Sequence, residues 1–227
     1  MRTLQIARFT LLAAALASAA GCAGDPTSPT GTGQNASVGV ESPVAQREFT
    51  GDADVYYVSF SLRELSGNAG ATIKAIDLSF GNGVTATFGP ERATAAHISA
   101  GKAVSVADLN VPGSVISRAT SVQIRVLLTD DRGQDSTSLA AAAVTSTYVL
   151  SGRITNKATG RPVSGARVAV TFGGASGRSV TTDATGAYVL RRIPVGPVSF
   201  TITAAGFPTV TRTATMDGNV TVDVALE

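Results

Sequence analysis

From residue 47 onward the chain places an apolar side chain at every second position, run after run. In VYYVSFSLREL, Tyr56, Val58, Phe60 and Leu62 alternate with Tyr57, Ser59, Ser61 and Arg63. TIKAIDLSF alternates Ile76, Leu78 and Phe80, and SVQIRVLLT alternates Val122, Ile124, Val126 and Leu128. A period of two puts these side chains on one face of a strand, whereas a helix would scatter them around its axis. The chain is therefore confined to sheets that bury one face. Composition agrees: charged residues are only 15%, aromatics 5%, and 24 glycines supply tight turns.

The turns between the runs carry their own chemistry. Asn82-Gly83 follows Phe80 directly, and Asn-Gly is a strong hairpin signal because both residues tolerate positive φ. Asp130-Asp131-Arg132-Gly133 closes a second hairpin after SVQIRVLLT. Further strands are expected at 84–88, 103–109, 120–129 and 135–144. LAAAAV, residues 139–144, has helical propensity, but its place after a hairpin turn favours a final strand. Short strands at this spacing over residues 47–146 predict an antiparallel, immunoglobulin-like β-sandwich.

A second series begins near Tyr148. Leu150, Gly152 and Ile154 alternate, then Ala166, Val168, Val170 and Phe172, and then Val198, Phe200 and Ile202. VTVDVAL alternates Val220, Val222, Val224 and Leu226. Here LSGRITNKATGRPVSGARVAV, with Pro162 and Gly165 in its turn, and TTDATGAYVLRRIPVGPVSFTITAAGF resemble the carboxypeptidase regulatory-like domain. The resemblance covers about residues 148–227 and implies a transthyretin-like sandwich of seven strands. It also implies an accessory module, fused elsewhere to peptidases or outer-membrane receptors and standing here without an enzyme. One departure is Pro197-Val198-Ser199, where family members often carry Thr-Tyr. Residues 147–227 are thus expected to form a second all-β domain. Gly186, Gly196 and Gly206 end turns where a Cβ would strain the backbone.

The N-terminus reads differently. Arg2 and Arg8 precede an apolar stretch, Phe9 to Ala17, that is too short to span a bilayer, which takes roughly 20 residues. A basic start, a short apolar centre and small residues describe a signal peptide over residues 1–21. It ends in Ala19-Ala20-Gly21-Cys22, and Cys22 is the one cysteine of the chain. This stretch resembles the lipobox of bacterial lipoproteins. The resemblance implies cleavage before Cys22, a diacylglycerol thioether on its sulfur and acylation of the new amine. Each buried CH₂ contributes about 0.8 kcal/mol, so several acyl chains hold a domain at a membrane where one is marginal. Ala23, which is not Asp, points within that resemblance to the outer membrane. AGDPTSPTGTGQNASVGVESP, residues 23–43, lacks apolar periodicity and reads as a flexible stalk within a linker over residues 22–46.

Charge and chemistry narrow the function. Removing residues 1–21 leaves 16 basic and 16 acidic side chains, with no excess for nucleic acid, which needs a clustered basic face. The single histidine, His97 in ATAAHISAG, comes without a zinc-peptidase signature, and no G-x-S-x-G elbow accompanies it. No catalytic residue is therefore assigned, and a hydrolase is the remote alternative. Asp130, Asp131 and Asp135 in TDDRGQD are candidate calcium ligands, joined by Asp52 and Asp54 if the fold brings the ends together, although a solvated hairpin explains them as well. Tyr57 and Phe207 are candidate sugar-stacking rings, which makes a carbohydrate-binding module the second reading. The leading expectation is a non-enzymatic envelope lipoprotein, an adhesion, scaffold or accessory module. It would be held by its lipid and would meet a protein partner or envelope polymer through exposed strand edges, with no cofactor beyond the covalent lipid on Cys22.

Overall fold

The computed structural model describes residues 35–49, 53–113 and 118–227. The signal peptide, Cys22, residues 23–34 of the stalk and Asp52 lie outside the described residues.

Two β-sandwiches follow one another. The first is built from β1 (Val38–Phe49), β2 (Asp54–Glu64), β3 (Ala71–Phe80), β4 (Thr85–Phe88), β5 (His97–Ile98), β6 (Ala103–Pro112), β7 (Ser121–Asp130) and the first part of β8 (Asp135–Asn156). One layer runs β1-β2-β6 and the other β4-β3-β7-β8. The layers meet where β1 pairs in parallel with β8, from Ala45↔Val144 to Glu48↔Thr147. The alternating residues expected inside are inside: Tyr56, Val58, Phe60 and Leu62 pack against Ile76, Leu78, Phe80, Val122, Ile124, Val126 and Leu128. Each fully buried aliphatic or aromatic side chain here contributes about 1.5–3 kcal/mol. Both predicted hairpins form, with Gly83 at φ 86° and Gly133 at φ 81°.

The second sandwich uses β9 (Arg167–Phe172), β10 (Ser179–Thr181), β11 (Ala187–Pro194), β12 (Gly196–Thr203), β13 (Val210–Met216), β14 (Val220–Thr221) and β15 (Val224–Leu226). One layer is β10-β9-β12-β13. The other is the end of β8, flanked by antiparallel β11 and by parallel β14 and β15. Its core gathers Leu150, Ile154, Val168, Val170, Tyr188, Phe200, Ile202, Val224 and Leu226.

The structure revises three expectations. The predicted linker over 22–46 is not a linker throughout, because residues 38–46 belong to β1. A bulge between Glu41 and Val44 hides this strand, with Ser42 at φ 49° and Pro43 beside it breaking the alternation. The boundary expected between residues 146 and 147 falls inside β8, which runs 22 residues without a break and includes LAAAAV as strand. It continues because β7 pairs with its first half and β11 takes over along the same side. VTVDVAL, finally, is interrupted at Val222-Asp223. The Tyr188 hydroxyl donates to the Val222 carbonyl at 2.8 Å, and the Arg153 N–H donates to Asp223 Oδ1 at 2.7 Å. A Cβ on Gly152 would lie 2.0 Å from that Val222 carbonyl oxygen, so the crossing needs glycine.

Candidate functional site

The densest set of buried charge sits where the sandwiches join. Near the end of β1, Arg47 and Glu48 are both buried, against Asp54 at the start of β2, which is fully buried. Arg47 Nη1 donates to both Asp54 carboxylate oxygens at 3.0 Å, and its Nη2 donates to Ser146 Oγ at 2.9 Å. The buried Thr147 hydroxyl donates to the Arg47 carbonyl at 3.0 Å. Arg47 therefore ties the first sandwich to the middle of β8. Arg118 Nε adds a longer contact to Asp54, at 3.8 Å.

The second sandwich reaches back with two arginines from β11. Arg191 Nε donates to Glu48 Oε1 at 3.0 Å, across the junction. Arg192 Nη1 pairs with Asp108 Oδ1 at 2.5 Å, and its guanidinium lies 4.7 Å from the centre of the Tyr57 ring. Arg192 and Asp108 both have positive φ, 54° and 50°. Each sits at a register irregularity, between Leu190 and Ile193 in β11 and opposite the shift between Val58 and Phe60 in the β2–β6 pair. Bulges re-aim side chains and persist where surrounding structure holds them. Here two bulges turn opposite charges toward each other. Arg178 Nη1 donates to the Arg191 and Arg192 carbonyls at 3.0 and 3.1 Å and holds the β11 bulge open. Burial, and then the Glu48 charge, push the Tyr57 hydroxyl above the ordinary tyrosine range. Asp108, above all by its hydrogen bond, raises Arg192 above its usual value.

At the opposite end of the first sandwich, where the described chain enters, a second buried carboxylate gathers loops. Glu64 accepts the N–H groups of Ser37 at 3.1 Å, Ser66 at 2.9 Å, Gly67 at 2.7 Å and Gly101 at 2.8 Å, besides the Ser66 hydroxyl. Burial alone would raise its pKa. The hydrogen bonds from Ser66, Gly101, Ser37 and Gly67 together outweigh burial and bring it down to about 2.

The residues singled out from sequence are dispersed. Asp130 Oδ1 accepts the N–H groups of Arg132 at 2.9 Å and Gln134 at 2.8 Å, shaping its own turn. The Gln134 hydrogen bond is the main reason its carboxyl sits below the ordinary range. Asp131 accepts the Gly70 N–H at 2.9 Å, and Asp135 accepts the Thr129 hydroxyl at 2.5 Å. Asp54 does not join them. It lies at the junction, whereas Asp130 caps the far end of the sandwich beside Ala71. Among the described residues no group of three or more His, Cys, Asp or Glu side chains is placed to hold a metal ion. His97 presents the same nitrogen, Nδ1, to Thr72 Oγ1 at 3.3 Å and to Asp131 at 3.7 Å. A relay needs the hydroxyl and the carboxylate on opposite ring nitrogens, so this trio has no triad geometry. Tyr57 has Arg192 over its ring, and Phe207 is half-buried against the second core. Sequence reasoning missed Arg47, Glu48, Asp108, Arg191 and Arg192. Their one signal was a pair of adjacent arginines inside an otherwise alternating strand.

Comparison with known proteins bears on the second sandwich. Residues 149–227 match the carboxypeptidase regulatory-like domain. That span is the end of β8 through β15; the alternating runs around Leu150, Val168 and Phe200 are strands of it, while β10 and β13 are strands that no alternating run announces. No curated protein matches the chain. Among solved structures, similarity extends to the shaft pilin SpaA of Lactobacillus rhamnosus GG, 10% identical over 84% of this chain and 97% of that one, with a TM-score of 0.33. The group B streptococcus pilus 2b backbone protein is 11% identical over 81% and 96%, with a TM-score of 0.31. The major pilin subunit BcpA of Bacillus cereus is 10% identical over 85% and 71%, with a TM-score of 0.30.

Proposed function

We propose that this chain is a lipid-anchored, non-enzymatic strut of the bacterial envelope, which holds its regulatory-like sandwich away from the membrane for a partner to meet. The observation that carries this reading is the direction of β8. The described chain enters at the Glu64 end of the first sandwich, and β8 leaves that sandwich at the other end to become the spine of the second. Twenty-two residues of strand span about 70 Å at about 3.3 Å per residue. The Arg47–Asp54, Arg191–Glu48 and Arg192–Asp108 pairs brace the spine where it changes sandwich. Attachment through Cys22 would place the entry end toward the membrane. Asn156, Gly186 and Phe207, in the turns at the far end, would then face outward.

Among the described residues no helix is long and apolar enough to cross a membrane, so the reading rests on Cys22 for attachment and on outer-membrane sorting for place. Cells fed a labelled fatty acid test it directly. The chain should carry label and fractionate with membranes, and Cys22→Ala should lose the label and accumulate as uncleaved precursor. A Cys22→Ala chain that matures normally and stays with the membrane would overturn the anchor.

A further inference from the structure

Asn82-Gly83 is the one Asn-Gly pair of the chain. Besides marking a turn, such a pair has a chemistry of its own. The main-chain nitrogen of the second residue can attack the side-chain carbonyl carbon of the asparagine. Glycine, having no Cβ, leaves that approach open. The other asparagines are followed by Ala, Val or Lys, whose side chains crowd the same nitrogen.

In the folded chain the reacting groups are all engaged. The Gly83 nitrogen, which would attack, donates its N–H to the Phe80 carbonyl at 2.9 Å. Asn82 Oδ1 accepts the Val84 N–H at 3.2 Å, and its Nδ2 donates to the Tyr56 hydroxyl at 3.3 Å. That hydroxyl also accepts the Ala119 N–H at 2.9 Å, and the fully buried Tyr56 ring lies 4.5 Å from that of Phe80, centre to centre. A residue of β2, in the opposite layer, thus pins the side-chain amide of the β3–β4 turn. The turn sits at an edge: β4 has four residues and ends its layer. Such edges open locally at less cost than the core. Gly83 is exposed, and a Cβ on it would meet nothing within 4 Å among the described residues, so water reaches the turn.

We infer that Asn82 is a site of covalent modification by deamidation, and that the Tyr56 hydroxyl sets how often it reacts. When the hairpin opens, the Gly83 nitrogen bonds to Asn82 Cγ and the Cγ–Nδ2 bond breaks. Nδ2 leaves as ammonia and carries away the proton from the Gly83 nitrogen, and a five-membered imide remains. One water then hydrolyses the imide, at one carbonyl to aspartate and at the other to isoaspartate. Isoaspartate routes the main chain through Cβ and lengthens the turn by one carbon. The paired bonds from Gly83 to the Phe80 carbonyl and from Phe80 to the Val84 carbonyl then lose their register, and β4 loses its hold on β3. The modification is one-way, so it records each chain whose first sandwich has opened at this edge.

The full chain, held in mildly alkaline buffer with and without guanidinium, tests this. Mass spectrometry of the tryptic peptide 75–92 reads the exchange of NH₂ for OH, and chromatography separates isoaspartate from aspartate. In the unfolded chain Asn82 should react faster than any other asparagine. In the folded chain it should react about thirtyfold more slowly, the equivalent of two neutral hydrogen bonds. Tyr56→Phe should quicken the folded reaction about fivefold, the equivalent of one. Glu64→Gln, at the opposite end of the same sandwich, should leave the rate unchanged. Equal rates in folded and unfolded chains, or another asparagine reacting first, overturn the site. An equal gain in Glu64→Gln and Tyr56→Phe overturns the part given to Tyr56. Should Tyr56→Phe fail to fold, hydrogen exchange of the unmutated chain replaces it. The Gly83 and Ala119 N–H groups should then exchange at similar rates, and Gly83 exchanging far faster overturns the link through Tyr56.

Discussion

The two sandwiches solve the same problem with different means. The C-terminal one closes its turns and crossings with glycines, neutral hydrogen bonds and carboxylates that stay exposed, Asp183 accepting from Thr185 and Ala187 and Asp223 from Arg153. Gly186 at φ 73° sits under the Ile154 carbonyl, Gly152 admits the Val222 carbonyl, and the buried Thr182 hydroxyl donates to the Val163 carbonyl at 2.8 Å. The N-terminal one closes both ends with buried carboxylates, Glu64 at one and Asp54 at the other. A glycine turn depends on local sterics and is nearly indifferent to pH. A buried carboxylate must be desolvated, and it stabilises only while every donor around it is in place.

The largest effect is therefore expected at Arg47. Arg47→Ala leaves the fully buried Asp54 carboxylate without its main partner, which costs about 3–5 kcal/mol, and urea unfolding should show the loss. Arg47→Met together with Asp54→Leu should restore much of it, since an apolar pair of similar volume carries no desolvation penalty.

Next in size is Glu64. Its folded pKa of about 2 lies below the value of about 4.5 expected in the unfolded chain. The unfolded state therefore takes up a proton first as acid is added. The stabilisation is complete above about pH 4.5 and is lost as pH falls toward 2. Glu64→Gln should lower stability at neutral pH by about 1–3 kcal/mol and flatten the acid limb of the stability profile. An acid limb identical to that of the unmutated chain would remove Glu64 from this role.

In the C-terminal sandwich, Gly186→Val should cost about 1–3 kcal/mol, because a Cβ there would lie 2.4 Å from the Ile154 carbonyl oxygen. This loss should be the same at pH 7 and pH 4, in contrast to the loss at Glu64. An unchanged melting midpoint would refute the turn assignment. The smallest effect is at Arg192→Gln. Its partner Asp108 is more than half exposed, so equilibrium stability should fall by less than about 1 kcal/mol, while the angle between the sandwiches loosens.

The same contrast explains what could be read from the sequence. Val122, Ile124, Val126 and Leu128 announced a buried strand face because apolar alternation is a one-dimensional signal, and Asn82-Gly83 and Gly186 announced turns because only certain residues take positive φ. The C-terminal sandwich consists almost entirely of such signals. β1 was hidden because its buried side chains include Arg47 and Glu48, which look like solvent-facing residues until their partners are known, and because Ser42-Pro43 breaks its period. The joint was hidden for a further reason. Glu48 and Arg191 are 143 positions apart, and pairing across such a distance leaves no local pattern. The two cores part between Val144 and Tyr148, where the boundary at 146/147 is expected, but β8 is amphipathic through both sandwiches, so its period alone does not show that one strand crosses that boundary.

The central claim is that β8 and its charged joint make the two sandwiches one stiff body. Pulsed electron-spin distance measurement tests this most directly, with spin labels at Arg132 and Thr159, in the turns at opposite ends, and with Cys22 replaced by Ser. A single narrow distance distribution is predicted, broadening in Arg192→Gln and further in Arg47→Ala. A distribution that is already broad in the unmutated joint, and that neither substitution changes, would contradict it.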